Sequence, residues 1–158
     1  MRIWRGLIAG LLGGVIASGA MSLVHNVLSR QQRPPAEQPP EDDATVKVAD
    51  GIIRTLVHRR LPDDKKPLAG TVVHYAFGAT VGAIYGGIAD IVPRVTAAIG
   101  LPFGLAVWLG AHVIAVPTLG LAEPPTRQPR SKEALELLLH LVYGTVTEGI
   151  RRAIRAAL

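Results

Sequence analysis

The amino-acid sequence predicts an all-α integral membrane protein with four transmembrane helices and one short amphipathic helix at the membrane interface. Three observations lead to this prediction. Only 18% of the residues are charged, compared with about 25% in soluble domains. Long apolar runs divide the chain, and a bilayer core requires about 20 residues of apolar helix. Most of the 17 glycines lie inside those runs, which is common in membrane helices and costly in soluble ones.

The predicted membrane domain comprises the whole chain, 1–158, and its first three apolar runs carry no formal charge. The predicted helices lie at about 6–28, 68–89, 95–122 and 132–155. A cleaved signal peptide is the alternative for the first run, because Arg2 and Arg5 precede it and Ala17-Ser18-Gly19-Ala20 resembles a cleavage site. The apolar run continues beyond that site and further runs follow, which favours a retained helix.

The segment between the first two runs predicts a linker and a surface helix. Residues 30–43 hold four prolines among charged side chains, a composition typical of an extended linker. Residues 44–61 follow Asp42 and Asp43, which can cap a helix, and the apolar side chains of 44–61 share one helical face. We expect this amphipathic helix to lie on the membrane surface. Packing against the protein's own loops is the alternative.

Glycines recur at every fourth position in the first two apolar runs. The two rows are Gly6, Gly10, Gly14 and Gly78, Gly82, Gly86. Residues four apart lie along one side of a helix, and a row of glycines allows another helix to approach until the backbones nearly touch. We therefore predict that these glycines are helix-packing positions, used either within one chain or between chains.

The last run keeps the four-residue spacing but carries polar side chains. Its row consists of Lys132, Glu136, His140, Gly144, Glu148 and Arg152. Charged groups that face lipid cost several kcal/mol each, so this row must face protein or a water-filled cavity. The pentapeptide HYAFG at 74–78 also matches HLVYG at 140–144, which suggests a duplicated helical hairpin.

Four histidines fall in the half of the predicted membrane domain that is nearer the Pro-rich loops. They are His25, His74, His112 and His140. Three interpretations remain open. Neutral imidazoles can hydrogen-bond between helices, or they can sense or conduct protons together with Glu136, Glu148 or Asp90. The third interpretation is a haem or metal ion held by two or more of the four imidazoles. Because the glycine rows leave little room for haem, we predict no cofactor and no metal.

Several classes of function find no support in the sequence. The absence of cysteine excludes disulfides, thiolate nucleophiles and Cys-ligated metal sites. The sequence contains no Gly-rich phosphate loop, nucleophile elbow or HExxH motif, so we predict no catalytic residues and no enzymatic activity. The net charge of +5 comes from basic residues that flank apolar runs. This pattern suits lipid headgroups and argues against nucleic acid as a partner.

The basic residues give conflicting indications of orientation. Eight of the 17 Lys and Arg residues lie within 30–67, which favours that loop inside the cell. Arg2 and Arg5 instead favour an N-terminus inside. Because the first helix usually dominates, we favour both termini in the cytoplasm.

Several motifs are similar to those of the YagU-like proteins, a group of small bacterial inner-membrane proteins of poorly defined function. These motifs are GLIAG in the first run, ADIVPR after the second, His112 followed by Pro117 and LGLAEPP, and E-x3-H-x2-Y-x4-E-x-I-R-R from Glu136 to Arg152. The resemblance is good over roughly half of the chain and poor across 30–67. It implies an inner-membrane location and a contribution to acid resistance, and it supplies no established catalytic residue. It also implies that the family's recurring polar or kink positions are His112, Pro117, Glu136, His140, Glu148 and Arg152.

The leading functional hypothesis is a membrane module, without catalytic activity of its own, whose His/Glu face senses or handles protons. The candidate residues are His74, His112, Glu136, His140, Glu148 and Arg152. The alternative is an accessory or scaffold subunit that docks through its glycine faces. Since the glycine rows exceed what one four-helix bundle obviously needs, we expect a homo-oligomer or other membrane subunits as partners within the lipid bilayer.

Overall fold

A computed structural model describes residues 3–29 and 42–157, and the regular elements in these two ranges are all helical. The helices are α1 (Ile3–Ser29), α2 (Ala44–Val57), α3 (Lys66–Ile91), α4 (a composite of residues 101–118) and α5 (Arg130–Ala157). Shorter 3-10 segments at Asp63–Lys65, Pro93–Gly100 and Pro125–Arg127 connect them. The predicted linker 30–43 lies, apart from Asp42 and Asp43, outside the described residues.

Helix α1 is the central helix of the bundle and packs against both α3 and α5. Its small residues make this possible, since Ala17 and Ser18 are almost completely buried without a bulky side chain. Ala17 forms a core cluster with Val107 of α4 and Tyr143 of α5. Gly6 lies near Gly86 and Gly14 lies near Gly78, so α1 and α3 run antiparallel.

Three helical segments are long and apolar enough to cross a membrane: Ile3–Ser29, Asp63–Ile91 and Pro93–Thr118. The structure thus supports three of the four predicted spans. Helix α5 has 28 residues, which is ample length for a crossing at 1.5 Å per residue. It does not share the hydropathy of the other three because its charged residues interrupt the apolar sequence.

The third predicted helix, 95–122, differs from the structure at its start. Residues 93–100 form a turn in which Ala98, Ile99 and Gly100 all have positive φ, at 48°, 55° and 80°. Regular helix begins only at Leu101. Pro102 occupies the first turn of that helix, where the missing N–H of proline has no cost.

Helix α4 is also irregular in its second half. It consists of the α-helical Leu101–Val107, a π-helical stretch Trp108–Ala115 and a final α-helical turn Val116–Thr118. Pro117 cannot donate a backbone N–H, and wider π-type turns immediately precede it. The helix therefore ends at Thr118 rather than at residue 122, and His112 lies within the π-helical stretch.

Helix α2 packs its buried residues Val46 and Ala49 against α3. A Cβ atom on Gly70 of α3 would lie 2.7 Å from Cγ2 of Val46, so the two helices are in close contact. The helix ends at Val57 rather than at residue 61, because His58 adopts a left-handed conformation. Its outer apolar side chains, Ile52, Leu56 and Val57, are 48%, 74% and 55% exposed. The protein therefore covers only part of the amphipathic face.

Candidate functional site

A cavity of about 410 Å³ lies among all five helices, and its wall is almost entirely apolar. Helix α2 contributes Ala44, Thr45 and Val48 to one side of it. The polar side chains in the wall are Ser18, Thr45, His74, His112, Glu136, His140 and Tyr143. The cavity thus brings together four of the six residues that the sequence singled out as proton-linked or ligand candidates.

His112 reaches the cavity from the π-helical part of α4. Its Nε2 lies 3.1 Å from Oε2 of Glu133 on α5, so the two side chains form an ion pair whenever the imidazole is protonated. The ring stacks on Trp108, with the centroids 6.4 Å apart and the planes 19° apart. His112 is therefore held between a carboxylate and an indole.

His140 lies on α5, with its ring centroid 5.9 Å from that of His112. Its Nδ1 is 2.7 Å from the backbone oxygen of Glu136. Because a carbonyl oxygen can only accept a hydrogen bond, Nδ1 carries the proton in the neutral ring and Nε2 presents a lone pair. The described residues offer no hydrogen-bond partner to that Nε2.

His74 reaches the same cavity from α3. Its Nε2 lies 3.4 Å from the backbone oxygen of Ser18 on α1, at the long end of the hydrogen-bond range. The hydroxyl of Ser18 is also in the wall, is 1% exposed, and has no hydrogen-bond partner among the described residues. That hydroxyl packs against α3, since a Cβ atom on Gly78 would lie 2.0 Å from it.

A second polar cluster surrounds Glu148, which has no exposed surface. The hydroxyl of Tyr85 donates to Oε2 of Glu148 at 2.9 Å. Arg151 donates to both carboxylate oxygens, at 2.7 and 3.0 Å, and Nε of Arg152 donates to Oε1. The carboxylate is therefore fully paired, which is the condition under which a buried charge is tolerated.

This ion cluster extends to the turns at the opposite end of the bundle from α2. Nη2 of Arg152 donates to the backbone oxygen of Thr96 at 2.9 Å. Asp90, near the end of α3, lies 3.7 Å from Nη1 of Arg151 and 3.2 Å from Nη2 of Arg155. Glu148 follows His140 by eight residues, or about 12 Å of helix. Two of the six candidates, Glu148 and Arg152, thus belong to a cluster that is separate from the cavity.

Three residues complete these clusters although the sequence analysis did not select them. Arg151 follows Glu148 by three positions, so helical spacing could have identified it in the same way as Arg152. Glu133 and Tyr85 contact residues on other helices, and Tyr85 is 63 positions from Glu148. No local pattern in the sequence connects these last two residues with their partners.

The two glycine rows lie against each other where α1 contacts α3. A Cβ atom on Gly82 would lie 2.5 Å from the carbonyl oxygen of Gly10 and 2.9 Å from Cα of Gly14. The three facing pairs are Gly6 with Gly86, Gly10 with Gly82, and Gly14 with Gly78. Helices α4 and α5 approach in a similar way, since a Cβ atom on Gly144 would lie 2.7 Å from Cα of Gly104. The glycine faces are thus in contact within one chain.

His25 does not join the other three histidines. It is exposed on α1, and its Nε2 lies 3.3 Å from the hydroxyl of Ser29. Among the described residues, no group of three His, Asp or Glu side chains has the arrangement of a metal site. Three of the four histidines considered for a haem or metal ion thus line one cavity, and His25 lies apart from them.

Comparison with known proteins gives one family. No curated protein and no solved structure matches the chain. The family described as "Protein of unknown function (DUF1440)" matches residues 29–149, a range that includes three of the cavity's histidines as well as Glu136 and Glu148. Because this match spans most of the sequence, the chain belongs to that family, whose function is unknown.

Proposed function

We propose that this chain is a small membrane protein without catalytic activity of its own, and that its histidine-lined cavity couples the protein to proton concentration. The observation that carries the proposal is the convergence of His74, His112 and His140, from three different helices, on one apolar cavity. Histidine is the side chain whose charge ordinarily changes in the physiological pH range. Three such groups around one space form a site whose charge depends on pH.

The arrangement explains how protonation would act on the structure. A proton on His112 strengthens its pairing with Glu133, which lies 3.1 Å away. A second proton on His140 places two positive rings 5.9 Å apart, and repulsion is strong where water is scarce. Acidification therefore favours a conformation in which the cavity opens or takes up water. We infer that this change is the response of the protein to acid.

Trp108 provides a built-in reporter for the first step. A protonated imidazole stacked on an indole quenches its fluorescence, so emission from Trp108 should fall as the pH is lowered. The measurement uses protein in lipid nanodiscs that carries Trp4→Phe, which leaves Trp108 as the single tryptophan. His112→Gln should abolish the change, and His25→Gln is the matched control because His25 lies outside the cavity. A pH response that survives His112→Gln would contradict the proposal.

The physiological test uses a strain from which the gene has been deleted. The wild-type gene and the His25→Gln variant should restore survival in acid and the recovery of intracellular pH. The double variant His112→Gln/His140→Gln should fail in both measurements while the protein accumulates normally in the membrane. If the double variant performs like wild type, the cavity does not couple the protein to protons.

The cellular setting forms part of the proposal. We propose that α5 makes a fourth membrane crossing, because it packs lengthwise against α1 and α4 and buries Glu148 and Arg151 inside the bundle. The proposals of a bacterial inner-membrane location and of a contribution to acid resistance both rest on the resemblance to the YagU-like proteins. The cytoplasmic placement of both termini rests on Arg2 and Arg5.

The alternative function, docking of other subunits through glycine faces, has less support. Gly6, Gly10 and Gly14 contact the glycine row of α3 in the same chain, so that face is already occupied. A partner would have to bind elsewhere on the bundle. We therefore place the proton-linked function first.

A further inference from the structure

Glu136 is a carboxylate in the wall of an almost entirely apolar cavity. Its backbone oxygen is engaged by His140, but the described residues provide neither a hydrogen bond nor an ion pair to its side chain. The nearby Glu133 pairs with His112, and Lys132 contacts Gln128 instead. An ionised Glu136 therefore has no counter-charge among the described residues while the histidines are neutral.

Two aromatic side chains share the cavity wall with Glu136. Phe77 and Tyr143 line the same cavity, and the face of an aromatic ring attracts an organic cation. A carboxylate, two aromatic rings and a mostly apolar wall whose histidines are neutral suit a ligand that is both positively charged and hydrophobic. The cavity's 410 Å³ falls within the range of about 300–1,000 Å³ that is typical of small-molecule sites.

A second apolar space lies beside the cavity, nearer the outer surface of the bundle. This more open groove of about 310 Å³ lies between α3 and α4 and is lined entirely by apolar residues and a glycine. Phe77, Val107 and Ala111 belong to both the groove and the cavity. Helices α3 and α4 make few close contacts with each other along this region. These three shared residues separate the groove from the cavity, so a rearrangement of their side chains would be needed to join the two spaces.

We propose that the cavity binds a hydrophobic organic cation, such as a quaternary ammonium or phosphonium compound, with Glu136 as its counter-ion. The inference rests on the proposed function for its site, since it assigns a ligand class to the same cavity. Protons and the cation would then compete. A proton on a cavity histidine adds positive charge near Glu136, and a proton on Glu136 removes the counter-ion, so both changes expel the ligand as pH falls.

The titratable groups at the cavity, which take part in this competition, lie on α3, α4 and α5. They are His74 from α3, His112 from α4, and Glu133, Glu136, His140 and Tyr143 from α5. The wall residues contributed by α1 and α2 carry no titratable side chain. Acidification thus changes the sum of charges around the ligand in one direction only.

Equilibrium dialysis of tetraphenylphosphonium against the purified full-length protein tests the inference, with protein-free micelles as the blank. We expect saturable binding at about pH 7.5 that weakens at about pH 5.5. Glu136→Gln should weaken binding by roughly tenfold or more at the higher pH, whereas Glu123→Gln, which changes an exposed carboxylate outside the cavity, should leave it unchanged. Ala111→Phe, which fills the cavity and keeps Glu136, should also abolish binding.

The outcomes separate this inference from the proposed function. Absence of saturable binding, or full affinity in Glu136→Gln, overturns the cation site. Preferential binding of oleate over tetraphenylphosphonium overturns it as well, because the cavity would then select an anion. If the fluorescence titration of Trp108 persists in these cases, the proton-linked function stands without the ligand. If tetraphenylphosphonium binds through Glu136 but the titration is absent, the site stands and the proton-linked function fails.

Discussion

Glu148 illustrates at the scale of a residue how an apolar helix bundle accommodates a charge. Its carboxylate is completely buried, yet Tyr85, Arg151 and Arg152 supply hydrogen-bond donors to it. These partners lie on α3 and on α5 itself, so the carboxylate holds two helices together. Glu136, by contrast, has no side-chain partner within the described ranges and faces a cavity. The same residue type therefore has a structural role at one position and is available for binding at the other.

Replacing Glu148 should destabilise the protein without changing the cavity. Glu148→Gln removes the carboxylate that Arg151 and Arg152 share and leaves Arg151 only the more distant Asp90, and breaking a buried pair typically costs about 3–5 kcal/mol. The melting temperature of the detergent-solubilised protein should fall markedly. Glu123→Gln, at an exposed position, is the control and should melt like wild type. Equal melting temperatures for the two variants would show that the ion cluster does not contribute to stability.

At the scale of an element, the contact between α1 and α3 depends on the absence of side chains. The carbonyl oxygens of one glycine row occupy the space where Cβ atoms of the other row would lie. Close backbone contact of this kind provides dispersion energy in a membrane, where lipid is as apolar as the helices and the hydrophobic effect contributes little. The interface is therefore specified by the small size of its residues rather than by their hydrophobicity.

A single methyl group should disturb that contact. In Gly82→Ala the new Cβ would lie 2.5 Å from the oxygen of Gly10, and overpacking of this kind typically costs about 1–3 kcal/mol. Gly149→Ala is the matched control, since nothing lies within 4 Å of a Cβ at that position and alanine is the better helix former. Thermal unfolding should rank Gly149→Ala at or above wild type and Gly82→Ala below it. The reverse order would mean that the two rows do not pack as described.

At the scale of the whole molecule, α5 differs from the helices around it. Gly13 of α1 packs against the backbone of Thr147, and Gly104 of α4 packs against that of His140, so α5 runs antiparallel to both. Helix α5 thus lies lengthwise against two of the three candidate spans, which is the basis for the proposal that it is a fourth crossing. In its middle and last part Glu148 and Arg151 are buried inside the bundle, whereas Arg130, Lys132 and Arg152, nearer its ends, are exposed.

Cysteine labelling can determine whether α5 crosses the membrane. The chain contains no cysteine, so single substitutions can be labelled with an impermeant maleimide without background. With four crossings, Ile3→Cys and Ala157→Cys should be labelled from one side, and Thr55→Cys and Thr126→Cys from the other. Labelling of Ala157→Cys from the same side as Thr126→Cys would show that α5 does not cross.

Local patterns in the sequence predict much of the fold because the hydropathy of a helix and the residues on each of its sides depend only on that helix's own sequence. Runs without charge predict the three long apolar segments, and the four-residue spacing of Gly78, Gly82 and Gly86 places them on one side of α3. Such patterns do not predict the irregular backbone of the third run. Its left-handed residues Ala98 and Ile99 are not types that favour positive φ, so only their surroundings hold them there.

The sequence by itself determined the helical class, the apolar segments, the glycine rows and the identity of the polar residues on α5, because each depends on residues that are neighbours along one helix. Only the tertiary structure decided which of those residues meet. It placed His74, His112 and His140 around one cavity and assigned Glu148 to a separate ion cluster. It also paired His112 with Glu133. These contacts join residues on different helices, and their geometry depends on how closely glycine allows the helices to approach. The spacing of residues along a single helix contains no information about that approach.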